Sequence, residues 1–92
     1  MSWKEIIKVD NPEGAGAFLD YMTKYHGREY AQDMRINTMN PAEVFASLQE
    51  ELNVNEYEMK GADSDTLKMY KEMNKEIEEI MKKHYKSYLD MA

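Results

Sequence analysis

Among the side chains of this sequence, His26 and its neighbours most resemble a catalytic or ligand-binding site. Glu29 lies three residues after His26 and Met22 lies four before it. On a helix, these spacings place the three side chains on roughly one face. With Tyr25 and Tyr30 nearby, His26 could line the pocket of a small helical enzyme or ligand-binding protein, which is one of three functions considered for this chain.

Other combinations typical of catalysis or metal binding are weak. His84 has neither Glu nor His at helical spacing, so a metal site would lack ligands. Segment 13–17 has two glycines, but lacks the preceding strand and following Lys-Ser/Thr of a phosphate-binding loop. Methionines at helical spacing, such as Met69, Met73 and Met81, are more typical of an adaptable core or partner surface than of a copper site. We predict no catalytic residue, no metal and no cofactor.

Composition predicts one small domain spanning residues 1–92. The chain has no cysteine, which excludes disulfides and thiolate metal sites and makes an intracellular, cytoplasmic location the default expectation. The opening residues lack the long apolar stretch of a signal peptide, and no segment approaches the ~18 apolar residues of a transmembrane helix. We therefore expect a protein that does not bind membranes.

Short elements are expected before position 63. Ser2 and Glu5 fit a capping box for a helix ending near Lys8, although the apolar residues there would also suit a strand at 3–9. Asn11 followed by Pro12 is a typical helix start, and the apolar spacing after it predicts a helix to about residue 26. Gly27 either ends this helix or is tolerated within a longer one, because the apolar spacing continues beyond it.

The same start signal occurs at Asn40 and Pro41. Apolar residues at helical spacing predict a helix of about three turns there, ended by Asn53. Residues 54–59 alternate in polarity and predict an extended loop or a lone strand.

The region from Asp63 to Met91 predicts one long amphipathic helix. It would extend roughly 40 Å, whereas a compact domain of this chain length is only about 30 Å across. We therefore predict a homodimer or other homo-oligomer that covers the excess apolar stripe; the alternative is a helix that ends early, near Lys82 and Lys83. The predicted interface comprises Tyr70, Met73, Ile77, Ile80, Met81, His84, Tyr85, Tyr88 and Leu89.

Negative charge is concentrated in the middle of the chain. The net charge is −6, and residues 37–65 contain one basic and seven acidic residues. Such a region repels nucleic acid phosphates, which argues against direct nucleic acid binding, and it attracts a basic protein partner. A solvated face that only keeps the chain soluble is the alternative. The predicted acidic patch consists of Glu43, Glu50, Glu51, Glu56 and Glu58.

The opening Met1-Ser2-Trp3-Lys4-Glu5-Ile6-Ile7-Lys8 resembles the start of short uncharacterised proteins of marine tailed phages of the T4-like type. The resemblance covers these eight residues and implies a viral or marine microbial origin, with expression in a phage-infected host. It implies no activity.

These patterns together predict an all-α fold of three or four helices, with an α+β fold containing a strand near 3–9 or 54–59 as the alternative. The expected function is a small non-enzymatic protein-protein interaction module that self-associates through its C-terminal helix. An acidic regulatory or inhibitory protein that occupies a basic, nucleic-acid-binding surface of a partner is the second possibility. An enzyme or ligand-binding protein with a pocket near His26 is the third.

Overall fold

The computed structural model describes residues 11–91, and within this range the fold is all-α. The helices are α1 (Pro12–His26), α2 (Arg28–Asp33), a 3-10 helix (Ile36–Thr38), α3 (Pro41–Met59), α4 (Ser64–His84) and α5 (Lys86–Met91). The prediction of a small helical bundle is confirmed. The extended loop or lone strand predicted at 54–59 is wrong, because those residues continue α3. The element predicted at 2–8, with its alternative strand at 3–9, lies outside the described residues.

Local side-chain chemistry starts the three long helices. The side-chain oxygens of Asn11, Asn40 and Asp63 accept hydrogen bonds from the backbone amides of Gly14 (3.1 Å), Glu43 (2.9 Å) and Thr66 (2.8 Å), respectively. Each bond satisfies one of the amides that a first turn leaves without a helical partner. The predicted starts of α1, α3 and α4 are therefore confirmed.

Helix α3 extends beyond its predicted end at Asn53. Asn55 is 2% exposed and donates to the side chain of Asn74 on α4, at 2.9 Å. This contact requires position 55 to face the bundle, and the helical path provides that orientation. The chain reverses only afterwards, where Gly61 adopts a φ of 80°, a conformation that glycine tolerates without steric cost.

The single helix predicted from Asp63 to Met91 is also wrong, and the alternative of an end near Lys82 and Lys83 is close to the observed end at His84. Helix α4 ends at His84, the backbone at Tyr85 leaves the helical region with φ −131° and ψ 30°, and α5 follows. The break allows Tyr85 and Tyr88 to be buried, at 1% and 4% exposed. Their rings pack near that of Phe45, with centroid separations of 6.4 and 5.3 Å. The chain thus covers its own C-terminal aromatic residues.

The three long helices form the bundle. Asn11 donates to the backbone carbonyl of His84 at 2.6 Å, whereas Lys24 near the other end of α1 pairs with Glu76, so α1 and α4 are antiparallel. The core combines residues from every element. Its buried apolar members are Phe18, Tyr21, Met22, Ala31, Ile36, Val44, Phe45, Leu48, Met73, Ile77, Met81, Tyr85 and Tyr88.

Within this bundle, a polar layer joins α1, α3 and α4. The side-chain amide of Asn55 donates to Asn74 and lies 3.4 Å from the hydroxyl of Tyr21, which donates to Glu51 at 3.2 Å. Burial raises the pKa of Tyr21 well above its usual value, which keeps the hydroxyl protonated as a donor. The layer fixes the relative register of three helices, because each member has its hydrogen-bond partner on another helix.

Tyr85→Phe is expected to stabilise the protein by about 1 kcal/mol. The Tyr85 hydroxyl is buried without a hydrogen-bond partner among the described residues, so it carries a desolvation cost without compensation. Burial, with a smaller effect of Tyr88, raises its pKa from 10.0 to about 12. The folded state therefore favours the protonated hydroxyl of Tyr85. The stability of the wild-type protein is unaffected by this ionisation below pH 10 and decreases as pH rises toward 12.

Urea denaturation of wild type and Tyr85→Phe at neutral pH and at several values between pH 10 and 12 measures both effects. The variant should lose less stability across the alkaline range. Tyr57→Phe is the matched control, because Tyr57 is 70% exposed and its hydroxyl is solvated in both states. A Tyr85→Phe variant less stable than wild type at neutral pH would show that the hydroxyl has a favourable partner.

Candidate functional site

The predicted C-terminal interface is largely part of the chain's own core. Five of its nine residues are buried there: Met73, Ile77, Met81, Tyr85 and Tyr88. The other four are half-buried and belong to separate surroundings. Ile80 and His84 line a hollow beside α1, whereas Leu89 lines another hollow with Leu52, and Tyr70 lies nearer the start of α4. Self-association stays a prediction, but most of the apolar stripe on which it was based is covered by the chain itself.

The predicted acidic patch falls mainly on one side of α3. Ser47, Glu50, Val54 and Glu58 follow Glu43 in steps of three and four residues, which at about 100° per residue keeps them on one side. Glu51 borders this side at the edge of the core. We call this side, with Tyr57, the acidic flank of α3. Glu56 is the exception among the predicted residues, because its position on the helix turns it to the opposite side.

Large apolar side chains are exposed along the same flank. Val54 is 49% exposed and Tyr57 is 70% exposed. Tyr30 of α2, which is 51% exposed, lines a hollow together with Val54 and Glu50. Exposed aromatic and branched side chains beside carboxylates are the features of a surface that can bind a partner having both basic and apolar groups.

The hollow, which we call the His26 hollow, has a volume of about 260 Å³. His26 Nε2 lies 3.1 Å from Glu51 Oε2, and the same oxygen accepts the hydrogen bond from Tyr21. The rings of His26 and Tyr30 have centroids 5.2 Å apart. The lining residues are His26, Tyr30, Met34, Ser47, Glu50, Glu51 and Val54.

This hollow contains only some of the residues predicted for a pocket near His26. Tyr30 lines it, but Tyr25 does not: the Tyr25 hydroxyl donates to Glu76, which also pairs with Lys24 at 3.0 Å. Burial alone would raise the pKa of Glu76, but these hydrogen bonds outweigh it and lower the pKa below its usual value. Glu29, also predicted, is exposed and is not part of the lining.

Sequence reasoning missed Glu51 as the partner of His26. It was predicted only as one of several acidic residues, because the contact joins positions 25 residues apart on two helices. The available signal was its place on α3, three residues after Leu48, which is fully buried. That spacing predicts a carboxylate near the bundle's interior edge, where it can contact a neighbouring helix.

The described residues show no arrangement typical of a metal centre. Within residues 11–91, no three His, Cys, Asp or Glu side chains lie close enough together to hold a metal ion. The His26–Glu51 pair supplies two polar groups of the hollow, and Ser47 and Glu50 line it as well. Among the helices in this range, none has the length and apolar character required to span a bilayer.

Comparison with known proteins gives no matching family model, no similar curated protein and no similar solved structure.

Proposed function

We propose that this chain is a small non-enzymatic interaction protein that binds a basic surface of another protein through the acidic flank of α3. The observation that carries the proposal is the position of three exposed large apolar side chains. Tyr30, Val54 and Tyr57, which are about half exposed or more, lie along or beside the flank that contains most of the acidic patch. Large exposed apolar side chains beside carboxylates favour a binding surface over a face that serves only solubility. A fourth such side chain, Met69 of α4, is 45% exposed.

The charges and the apolar groups have different roles in this proposal. Exposed carboxylates accelerate encounter with a basic partner and exclude acidic ones, but each surface ion pair adds only ~0 to 1 kcal/mol. Aromatic side chains supply most of the affinity of a typical interface when they become buried. We therefore infer a partner in which lysine or arginine residues surround an apolar centre. A basic nucleic-acid-binding surface of a regulated protein has this charge and is one candidate.

A labelled amphipathic peptide of lysine and leucine serves as the probe, and fluorescence anisotropy at two salt concentrations measures its affinity. We expect the triple variant Glu43→Gln, Glu50→Gln, Glu58→Gln to bind about tenfold more weakly at low salt, with a smaller difference at high salt. The matched control, with the same change in net charge, carries Glu72→Gln, Glu78→Gln and Glu79→Gln on α4. These three residues are exposed in the structure.

The control separates a specific surface from general attraction. If both triple variants lose affinity equally, net charge alone explains binding and the proposed surface is wrong. An oligolysine peptide of equal charge tests the contribution of the leucines. If it binds as tightly as the probe, the proposed role of Tyr30, Val54 and Tyr57 is contradicted.

A further inference from the structure

We propose that the His26 hollow binds a single arginine side chain of the basic partner. This inference rests on the proposed function and adds the residue type that the surface recognises. The hollow, at about 260 Å³, is smaller than the ~300 to 1,000 Å³ typical of small-molecule sites. It can therefore accept one side chain inserted from a docked surface.

The lining matches the two chemical parts of arginine. Met34 and Val54 provide apolar contacts for the methylene groups, because long basic side chains bury their stems against apolar surface. Glu50 and Glu51 are consecutive on α3, so they point in different directions and lie toward two edges of the hollow. Ser47 and Val54 lie between those two directions on the helix.

The carboxylate of Glu51 is held by two contacts with side chains of α1. Tyr21 and His26 both contact Oε2 of Glu51, at 3.2 and 3.1 Å. Oε1 has no hydrogen-bond partner among the described residues, so it is available to a ligand. A carboxylate held in this way loses less conformational freedom on binding than a fully mobile one.

The geometry points to arginine over lysine. A guanidinium is planar and carries five N–H donors, so it can hydrogen-bond to two carboxylates and stack on a ring at the same time. Tyr30, half exposed and 5.2 Å from the His26 ring between centroids, provides that ring. The ammonium of lysine is a compact charge that gains little from stacking.

Two labelled peptides test this inference. Both contain lysine and leucine, and they differ only in one central residue, which is arginine in one and lysine in the other. We expect wild type to bind the arginine peptide about fivefold to tenfold more tightly. Tyr30→Ala and Glu50→Gln should each reduce this preference to below about twofold. Both residues are exposed, so the fold should be retained, which circular dichroism checks.

Glu56→Gln is the matched control, because it removes the same charge from the opposite side of α3 and should retain the arginine preference. Equal affinity of wild type for the two peptides would overturn the arginine site while leaving the proposed function intact. A preference that persists in both Tyr30→Ala and Glu50→Gln would also overturn the site. If neither peptide binds wild type, the proposed function itself is wrong.

Discussion

Gly14→Ala is expected to lower the free energy of unfolding by about 1 to 3 kcal/mol, although alanine is the better helix former. A Cβ atom at position 14 would lie 2.6 Å from the hydroxyl oxygen of Tyr85 and 2.7 Å from the ring carbon that carries it. These separations are far below van der Waals contact. The first turn of α1 and the junction of α4 with α5 would have to move apart.

Tyr85 has little freedom to avoid this contact. It is 1% exposed, and its ring lies near those of Phe45 and Tyr88, with centroid separations of 6.4 and 6.1 Å. The preceding residue is also fixed, because the carbonyl of His84 accepts a hydrogen bond from Asn11. A shift of Tyr85 would therefore disturb both the aromatic cluster and the contact between α1 and α4.

Gly16→Ala is the control for this effect. It lies on the same helix, but a Cβ there would meet no atom within 4 Å. Only the helix propensity changes, which predicts a gain of about 0.5 to 1 kcal/mol. Thermal or urea unfolding of both variants should give changes of opposite sign. If Gly14→Ala were as stable as Gly16→Ala, the close packing of α1 against Tyr85 would be absent in solution.

Helix starts could be predicted from this sequence, whereas the end of α3 could not, and the end of α4 was only the alternative, near Lys82 and Lys83. Asn11, Asn40 and Asp63 act through side-chain bonds to backbone amides three residues later, so the signal is local. The ends at Met59 and His84 depend on contacts between helices. Asn55 is held in α3 by its bond to Asn74, and Tyr85 leaves α4 where its ring enters the core.

The same distinction applies to the candidate site. Composition located the acidic patch, since a run of charge is visible in the sequence alone. The hollow depends on how α2 places Tyr30 next to Glu50 and on the contact between His26 and Glu51, and neither pairing has a local signature. The interface prediction did not anticipate that most of these residues are buried in the chain's own core. The reason is related: an apolar stripe on a helix indicates that this face is covered, but it does not show whether the same chain or a second chain covers it.

Asn55→Asp is expected to have the largest effect of any single substitution considered, a loss of about 3 to 5 kcal/mol at neutral pH. The change is nearly isosteric, so the effect is electrostatic. Asn55 is 2% exposed, and its amide now donates to Asn74 and lies 3.4 Å from Tyr21. A carboxylate cannot donate, and an ionised one would be buried near Glu51, whose side chain contacts the same tyrosine.

The pH dependence of stability shows whether the loss in Asn55→Asp is electrostatic. Burial and the nearby carboxylate raise the pKa of an aspartate at position 55 in the folded state above its unfolded value of about 3.9. The variant should therefore be closest to wild type near pH 4, the acid end of the range, where the group is protonated in the folded state and about half protonated in the unfolded state. Its deficit should grow as pH rises through the folded-state pKa.

Asn53→Asp makes the same chemical change two residues earlier, where the side chain is exposed, and should alter stability by less than about 0.5 kcal/mol at any pH. Urea denaturation of both variants from pH 4 to 8 therefore separates burial from a general effect of added charge on α3. Equal and small effects at the two positions would mean that α3 does not carry Asn55 into the bundle. The polar layer that sets the register of α1, α3 and α4 would then be absent, and with it the orientation of Glu51 on which the His26 hollow depends.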